Sequence, residues 1–295
     1  AYQAKNTCGD ITISGGIINA TGGAYAAGIG SGNTYEAKNT CGMITIAGGN
    51  ITATGGEEAA GIGSGQAEQA KNTCGAITIS GSAQVTATGG TEAAGIGSGN
   101  ANEAENTCGA ITISGSAQVT ATGGKEAVGI GSGHAEHAKN TCGNITISGG
   151  TVKAVGKTYA AGIGTGSGNE DNNGVCGAIT ISGGIVEATG GDRAAGIGSG
   201  CNGKFTSISI TSGITSVTAT RSNDYWNAPI GKGNDDQGSG AVTFGGVVMH
   251  NGTGDSSQSN WTYWPEDGGP FGGIRVSASN YGSDNGRTWT LTPAP

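Results

Sequence analysis

The chain has 295 residues, 63 of them glycine, with 5% aromatic and 12% charged residues and a formal net charge of −8. Five prolines without a three-residue glycine period exclude collagen. The absence of clustered Lys and Arg argues against nucleic-acid binding, which needs such clusters to displace counterions. No run approaches 18 apolar residues, so no membrane insertion is expected. What remains is disorder or a fold that buries small side chains by regular stacking.

A repeat decides for stacking. Cys8-Gly9, Cys41-Gly42, Cys74-Gly75, Cys108-Gly109, Cys142-Gly143 and Cys176-Gly177 recur at intervals of 33 or 34 residues. Each unit reads C-G-x-I-T-I-S-G-G-x-V-x-A-T-G-G-x-x-A-A-G-I-G-S-G, followed by a polar stretch. Ile77-Thr78-Ile79-Ser80 and Val85-Thr86-Ala87-Thr88 alternate apolar and polar residues, the signature of a strand with one buried face. A third segment, Ala94-Gly95-Ile96-Gly97, places Ile96 inside. Glycine pairs separate the three, and its bare third segment leaves room for the Asn-Thr-Cys segment or the polar loop to pack closely. The expected fold is all-β: a parallel β-helix, or β-solenoid, with three short strands per coil.

Further along, the pattern decays but continues. Phe205 stands where the next cysteine belongs, Pro229-Ile230-Gly231-Lys232-Gly233 matches G-I-G-S-G, and Val242-Thr243-Phe244 starts an eighth coil. Eight coils at about 4.8 Å each make a rod about 40 Å long. We therefore expect solenoid repeats over 1–246 and, over 247–295, a C-terminal cap leading into a Pro-rich linker. The chain starts in mid-repeat, which suggests a piece of a larger multi-modular protein.

The units I-T-I-S-G-G-x-V-x-A-T-G-G plus A-A-G-I-G-S-G resemble repeats of bacterial secreted and cell-surface right-handed parallel β-helix proteins, some of them described as carbohydrate-binding domains. The resemblance covers about residues 8–246. It implies a secreted or cell-surface location and a polysaccharide or surface glycan as partner. Members that bind Ca²⁺ do so through acidic side chains. No residue-level motif carries over.

Five features are candidates for function. The cysteine column reads as stacked free thiols acting as small apolar groups or as inter-coil disulfides, and Asn39, Asn72, Asn106 and Asn140 beside it as an amide ladder. The position before A-A/V-G-I-G carries Glu58, Glu92 and Glu126, flanked by Tyr25, Tyr159 and Arg193. Stacked glutamates repel by about 1 kcal/mol per neighbouring pair even in water, so they need full solvation or a cation or ligand. Outward T-x-T rows, such as Thr52/Thr54, Thr86/Thr88 and Thr120/Thr122, suit a hydroxyl ladder or ordered surface water. Oxygen-rich loops offer Asp171, Asp235 and Asp236 as calcium ligands, and His134, Glu136 and His137 share another loop. Finally, Tyr225, Trp226, Trp261, Tyr263 and Trp264 form an aromatic group that either stacks on sugar rings or caps the last coil.

Near-identical coils offer no unique constellation for catalysis; Lys153 and Glu187, with Asp192 and Arg193, are the charged departure. The expected function is a non-catalytic extracellular module that binds carbohydrate. A polysaccharide-degrading lyase or glycoside hydrolase, an ice-binding surface and a rigid adhesin stalk are the alternatives.

Overall fold

A computed structural model describes residues 6–295 apart from 37, 169–173, 223–227, 235–238, 254–257, 267 and 280–286. Its second coil shows the unit best. Asn39–Cys41, Ile44–Ile46 and Asn50–Thr54 form three strands, and Ile62–Gly63 and Ala67–Glu68 add two two-residue strands. The coil thus has five strand segments where the sequence predicted three. The Asn-Thr-Cys approach segment and the polar loop are themselves hydrogen-bonded to their copies, because a repeated backbone stacks in register whatever its side chains.

Every coil-to-coil pairing is parallel and, apart from the bulged stretch at Ser148, pairs equivalent residues. Ile44, Ile77 and Ile111 follow one another, as do Ile51, Val85 and Val119, and Ile62, Ile96 and Ile130. These side chains point inward and are buried. One hydrophobic core runs from Ile29 to Leu291. Each coil buries its apolar row only against its neighbours, so stability is a sum over interfaces. In later coils the corners straighten, and the strands merge into Ile145–Val155 and Gly174–Thr189, with bulges around Ser148.

The cysteine column is continuous. Cys8, Cys41, Cys74, Cys108, Cys142 and Cys176 stack in register as free thiols, and Phe205 extends the column. Hydrogen bonding to the next thiol of the column, Cys74 and Cys108 respectively, and then burial push the thiol pKa values of Cys41 and Cys74 up, so these groups stay protonated and act as packing.

The bare Gly-Ile-Gly segments have a specific cause. Gly63 has φ +138°, and a Cβ there would lie 1.8 Å from the carbonyl oxygen of Gly97 in the next coil. The bareness therefore serves stacking along the axis, as well as the approach of the Asn-Thr-Cys strand. That approach is made by asparagine. Asn106 Nδ2 donates to the carbonyls of Gly65 (2.9 Å) and Asn100 (3.1 Å), and its Oδ1 accepts from Ser64 Oγ (2.7 Å). Asn72 makes the same set with Gly32, Gln66 and Ser31. The expected amide ladder is corrected here: the asparagines stack in register, but their hydrogen bonds run to the residue after the preceding coil's Gly-Ser-Gly turn, as from Asn106 to Asn100, and to the Gly-Ser-Gly turn one coil earlier, as with Ser64 and Gly65. The column ends at Gly174, which pairs with Asn140, and there Ser132 Oγ is buried with no partner among the described residues.

Coil formation also ends for a visible reason. The Ile-Gly row has seven levels, ending at Ile230–Gly231. The expected eighth coil only begins: Val242–Phe244 continues the row parallel to Ile208, Ser209 and Ile210, then Val247–His250 turns back antiparallel. Thr288–Pro293 lies antiparallel on the last Val-Thr-Ala-Thr strand, pairing Leu291 with Val217 and Trp289 with Ala219, and Ile274–Ser279 adds a further strand. Lys232, buried where other coils have serine, donates from Nζ to the carbonyl of Gly252 (2.9 Å), tying the seventh coil to the cap.

Candidate functional site

Two columns of side chains meet along one edge of the solenoid. The first carries Tyr25, Glu58, Glu92, Glu126, Tyr159 and Arg193. Glu92, Glu126, Tyr159 and Arg193 have φ between +57° and +64°, a region that non-glycine residues seldom occupy. The conformation persists while the side chain changes, so the stacked backbone imposes it. The second column directly follows each Gly-Ser-Gly turn: Gln66, Asn100, His134 and Ser167, all buried. Backbone hydrogen bonds lock the two together, from Asn100 N to Glu58 O (2.9 Å), His134 N to Glu92 O (2.9 Å) and Ser167 N to Glu126 O (3.1 Å). Each acidic residue thus faces the polar residue of its own coil and that of the next.

The carboxylates Glu58, Glu92 and Glu126 are half-buried rather than fully solvated. Gln66 Nε2 donates to Glu58 Oε2 (2.5 Å), and Asn100 Nδ2 donates to both Glu58 Oε2 (2.9 Å) and Glu92 Oε2 (3.2 Å). The carboxylates are thus not fully solvated, and amide N–H groups relieve their charge. The relief is partial. Burial first, and then Glu58, Glu126 and Glu136, hold the Glu92 carboxyl above its ordinary range, against a smaller opposing effect of Lys125.

One coil on, the chemistry changes. Glu126 Oε1 lies 3.2 Å from Lys125 Nζ, and its Oε2 lies 3.9 Å from His134 Nδ1. His134 Nδ1 also shares a hydrogen bond with Ser167 Oγ (2.8 Å). Burial pushes the imidazole pKa down, while Glu126 and Glu136 pull it up. The acidic row therefore ends in a neutralised junction, and beyond it the Arg193 guanidinium lies 5.8 Å from the Tyr159 ring centre.

The aromatic group divides. Trp261, Trp264 and Trp289 pack edge to face with centroids 5.3–5.4 Å apart, and His250 packs on Trp261 at 5.3 Å. Glu266 accepts from Trp289 Nε1 (2.7 Å) and from Arg287, whose guanidinium lies 5.0 Å from the Trp264 ring centre. Trp261 and Trp264 thus form the cap interior. Tyr263 stays on the surface, 51% exposed, and with Phe271, Thr262, Trp264, Gly268 and Gly269 it lines a cleft of about 390 Å³. Tyr225, Trp226, Asp171, Asp235 and Asp236 lie outside the described residues, so the aromatic pair and the expected calcium loops have no geometry here. Among the described residues, no three His, Cys, Asp or Glu side chains cluster as a metal site, His134, Glu136 and His137 included. Lys153 and Glu187 are neighbours in register.

Sequence reasoning found the glutamates but missed Gln66 and Asn100, and it singled out His134 only with Glu136 and His137, not as the partner of Glu126. Their signal was present: each stands eight residues after its glutamate.

A family model described as a beta helix repeat matches residues 11–33, 44–66, 77–100, 111–134, 145–167 and 179–201. The second to fifth matches run from the start of the Ile-Thr-Ile strand to the polar column residues Gln66, Asn100, His134 and Ser167, and the last ends at Cys201. With the parallel register, these six repeats define the chain as a β-solenoid repeat protein. No curated protein and no solved structure matches it. No helix among the described residues is long and apolar enough to cross a membrane.

Proposed function

We propose that this chain is a non-catalytic carbohydrate-binding module, carried at a bacterial cell surface as one part of a larger protein. One observation carries the reading. Glu58, Glu92 and Glu126 present the same carboxylate once per coil, backed by buried Gln66, Asn100 and His134. Sugar hydroxyls both donate and accept hydrogen bonds, and a row that alternates carboxylate acceptors with amide donors meets both needs. A site repeated along an axis suits a ligand that is itself a repeating chain. Tyr263, exposed beside its cleft, offers a separate ring face at the cap.

The test is a glycan array probed with the whole chain. Glu58→Gln, Glu92→Gln and Glu126→Gln combined should weaken the signal at least tenfold, with Tyr263→Ala leaving most of it. Loss with Tyr263→Ala alone moves the site to the cap. No binding to any polysaccharide, with or without calcium, removes the reading.

The threonine rows favour a second reading. Thr52, Thr86 and Thr120 stand in register, as do Thr54, Thr88 and Thr122, on the outer side of the sheet, until Lys153 and Val155 interrupt them. Such a regular hydroxyl array fits ordered surface water, and faceting of ice crystals by the purified chain is its measurement.

A further inference from the structure

We infer that the cleft beside Tyr263 is a binding site of its own, built on the cap and separate from the glutamate row, and that it takes a single uncharged sugar ring. It deepens the carbohydrate reading and rests on it for the broad class of ligand. Its place and its selectivity come from the cap.

The cleft is set before any ligand arrives. The backbone N–H groups of Thr262 and Tyr263 both donate to the carbonyl of Met249 (2.9 and 3.3 Å), which fixes this segment on the strand Val247–His250. Phe271 and Ile274 exchange two backbone hydrogen bonds (2.8 and 2.9 Å), which fixes Phe271 at the start of Ile274–Ser279. The two rings so anchored lie 5.9 Å apart with a tilt of 42°. Phe271 thus steadies Tyr263 while the tyrosine remains 51% exposed. Gly268 and Gly269 also line the cleft. A Cβ at Gly268 would meet nothing within 4 Å, and one at Gly269 would lie 3.3 Å from the Phe271 ring. A rigid, open platform of this kind spares a ligand most of the cost of ordering its site.

The lining then narrows the ligand. Among the described residues that line it, Thr262, Tyr263, Trp264, Gly268, Gly269 and Phe271, none is charged and none is histidine or cysteine. A phosphate or carboxylate finds no cation there, and a metal finds no ligand set. Arg287, over the Trp264 ring, is paired with Glu266. A purely apolar ligand would leave the Thr262 and Tyr263 hydroxyls without partners. A Pro-rich peptide lies along a groove several residues long, whereas this cleft holds about 390 Å³, near the small end of ligand sites. A sugar ring meets both halves of the lining. Its C–H face packs on an aromatic face, and its hydroxyls donate to and accept from the Tyr263 and Thr262 hydroxyls and the glycine peptide groups. The glutamate row repeats and suits a chain; the cleft occurs once and suits one ring.

The test is saturation-transfer NMR on the whole chain with the methyl glycosides of glucose, galactose, mannose, xylose and N-acetylglucosamine. Each variant is first shown to keep the wild-type circular dichroism and melting temperature. At least one sugar should bind with Kd on the order of 1–10 mM, as expected for so small a ligand. Tyr263→Ala removes the platform, and Gly268→Leu places a side chain in the open space beside it; each should weaken binding at least tenfold. Glu58→Gln, Glu92→Gln and Glu126→Gln combined should leave it unchanged. No binding by any of the five at about ten times the upper end of that range overturns the proposal. So does binding that either cap variant leaves unchanged, or binding that the triple glutamine variant abolishes. The two sites fail separately. Sugar binding at the cap with no polysaccharide signal on the array removes the row and keeps the cleft, and the reverse removes the cleft and keeps the row.

Discussion

The repeated coils and the cap solve the same problem with opposite materials. In the coils, burial comes from isoleucine, alanine and glycine, each repeated at one level after another, with backbones so close that no Cβ fits at Gly30, Gly63 or Gly97. In the cap, three indoles and His250 interlock, and Trp289 takes the level that the next coil's alanine would fill. The coil solution works only when the neighbour is a copy. At the end of the array there is no copy, so a few large side chains cover the last row. Dense repetition thus places stability in the backbone, and its termination places stability in side chains.

Four variants test that contrast, from the largest effect to the smallest. Gly97→Ala sets a methyl 1.7 Å from the carbonyl oxygen of Gly131, at φ +142°. The two coils must separate, so a loss above about 4 kcal/mol, or failure to fold, is expected in chemical denaturation. An alanine tolerated there breaks the backbone half of the comparison. Trp289→Ala removes a fully buried indole and leaves Glu266 without one of its donors. It should cost about 3–5 kcal/mol, with the cap melting ahead of the coils in tryptophan fluorescence. A single transition shared with the coils would show that cap and coils are one cooperative unit.

Asn106→Ala deletes three hydrogen bonds and leaves the Ser64 hydroxyl proton without its acceptor, though Ser64 Oγ still accepts from Gly99 N. About 2–3 kcal/mol should be lost by urea titration. A cost no greater than that of an exposed position would make the coils pure backbone, with no side-chain contribution to sharpen. The smallest effect is electrostatic. Glu92 has a raised pKa in the folded chain, so its contribution to stability is present below the ordinary value of 4.5 and lost as pH rises through the folded value. Glu92→Gln should therefore raise stability near pH 7 by a few tenths of a kcal/mol after solvent screening, with the gain vanishing near pH 4. His134 runs the other way. Its lowered pKa means a contribution present above 6.5 and lost as pH falls below it. Thermal melts of wild type and Glu92→Gln across this range separate the two.

The solenoid was legible because its signal is repeated. A period of 33 or 34 residues, alternation in Ile77-Thr78-Ile79, and one cysteine per unit each point to stacked coils, and each holds. The number of coils was less legible, since Val242-Thr243-Phe244 reads like a coil start and only the antiparallel return of Val247–His250 stops it. The glutamate row was visible as a column, but its environment was not. Nothing local in Glu92 tells that Asn100, folded back from the next turn, reaches it together with Glu58. The tryptophans were hardest. Trp261 and Trp264 carry the same letters whether they face a sugar or each other, and only the placement of Trp289 beside them decides.

The identical register of successive coils has one more consequence. Residues 72–90 and 106–124 are the same 19 amino acids, and each interface between copies makes the same set of contacts. A whole unit can then be gained or lost by recombination between its near-identical coding segments without creating any new kind of junction. Such an event lengthens or shortens the rod by about 4.8 Å and moves the cap with it. It also adds or removes one glutamate with its amide partner. The length of this protein and the number of its edge glutamates are therefore coupled quantities, set together by copy number.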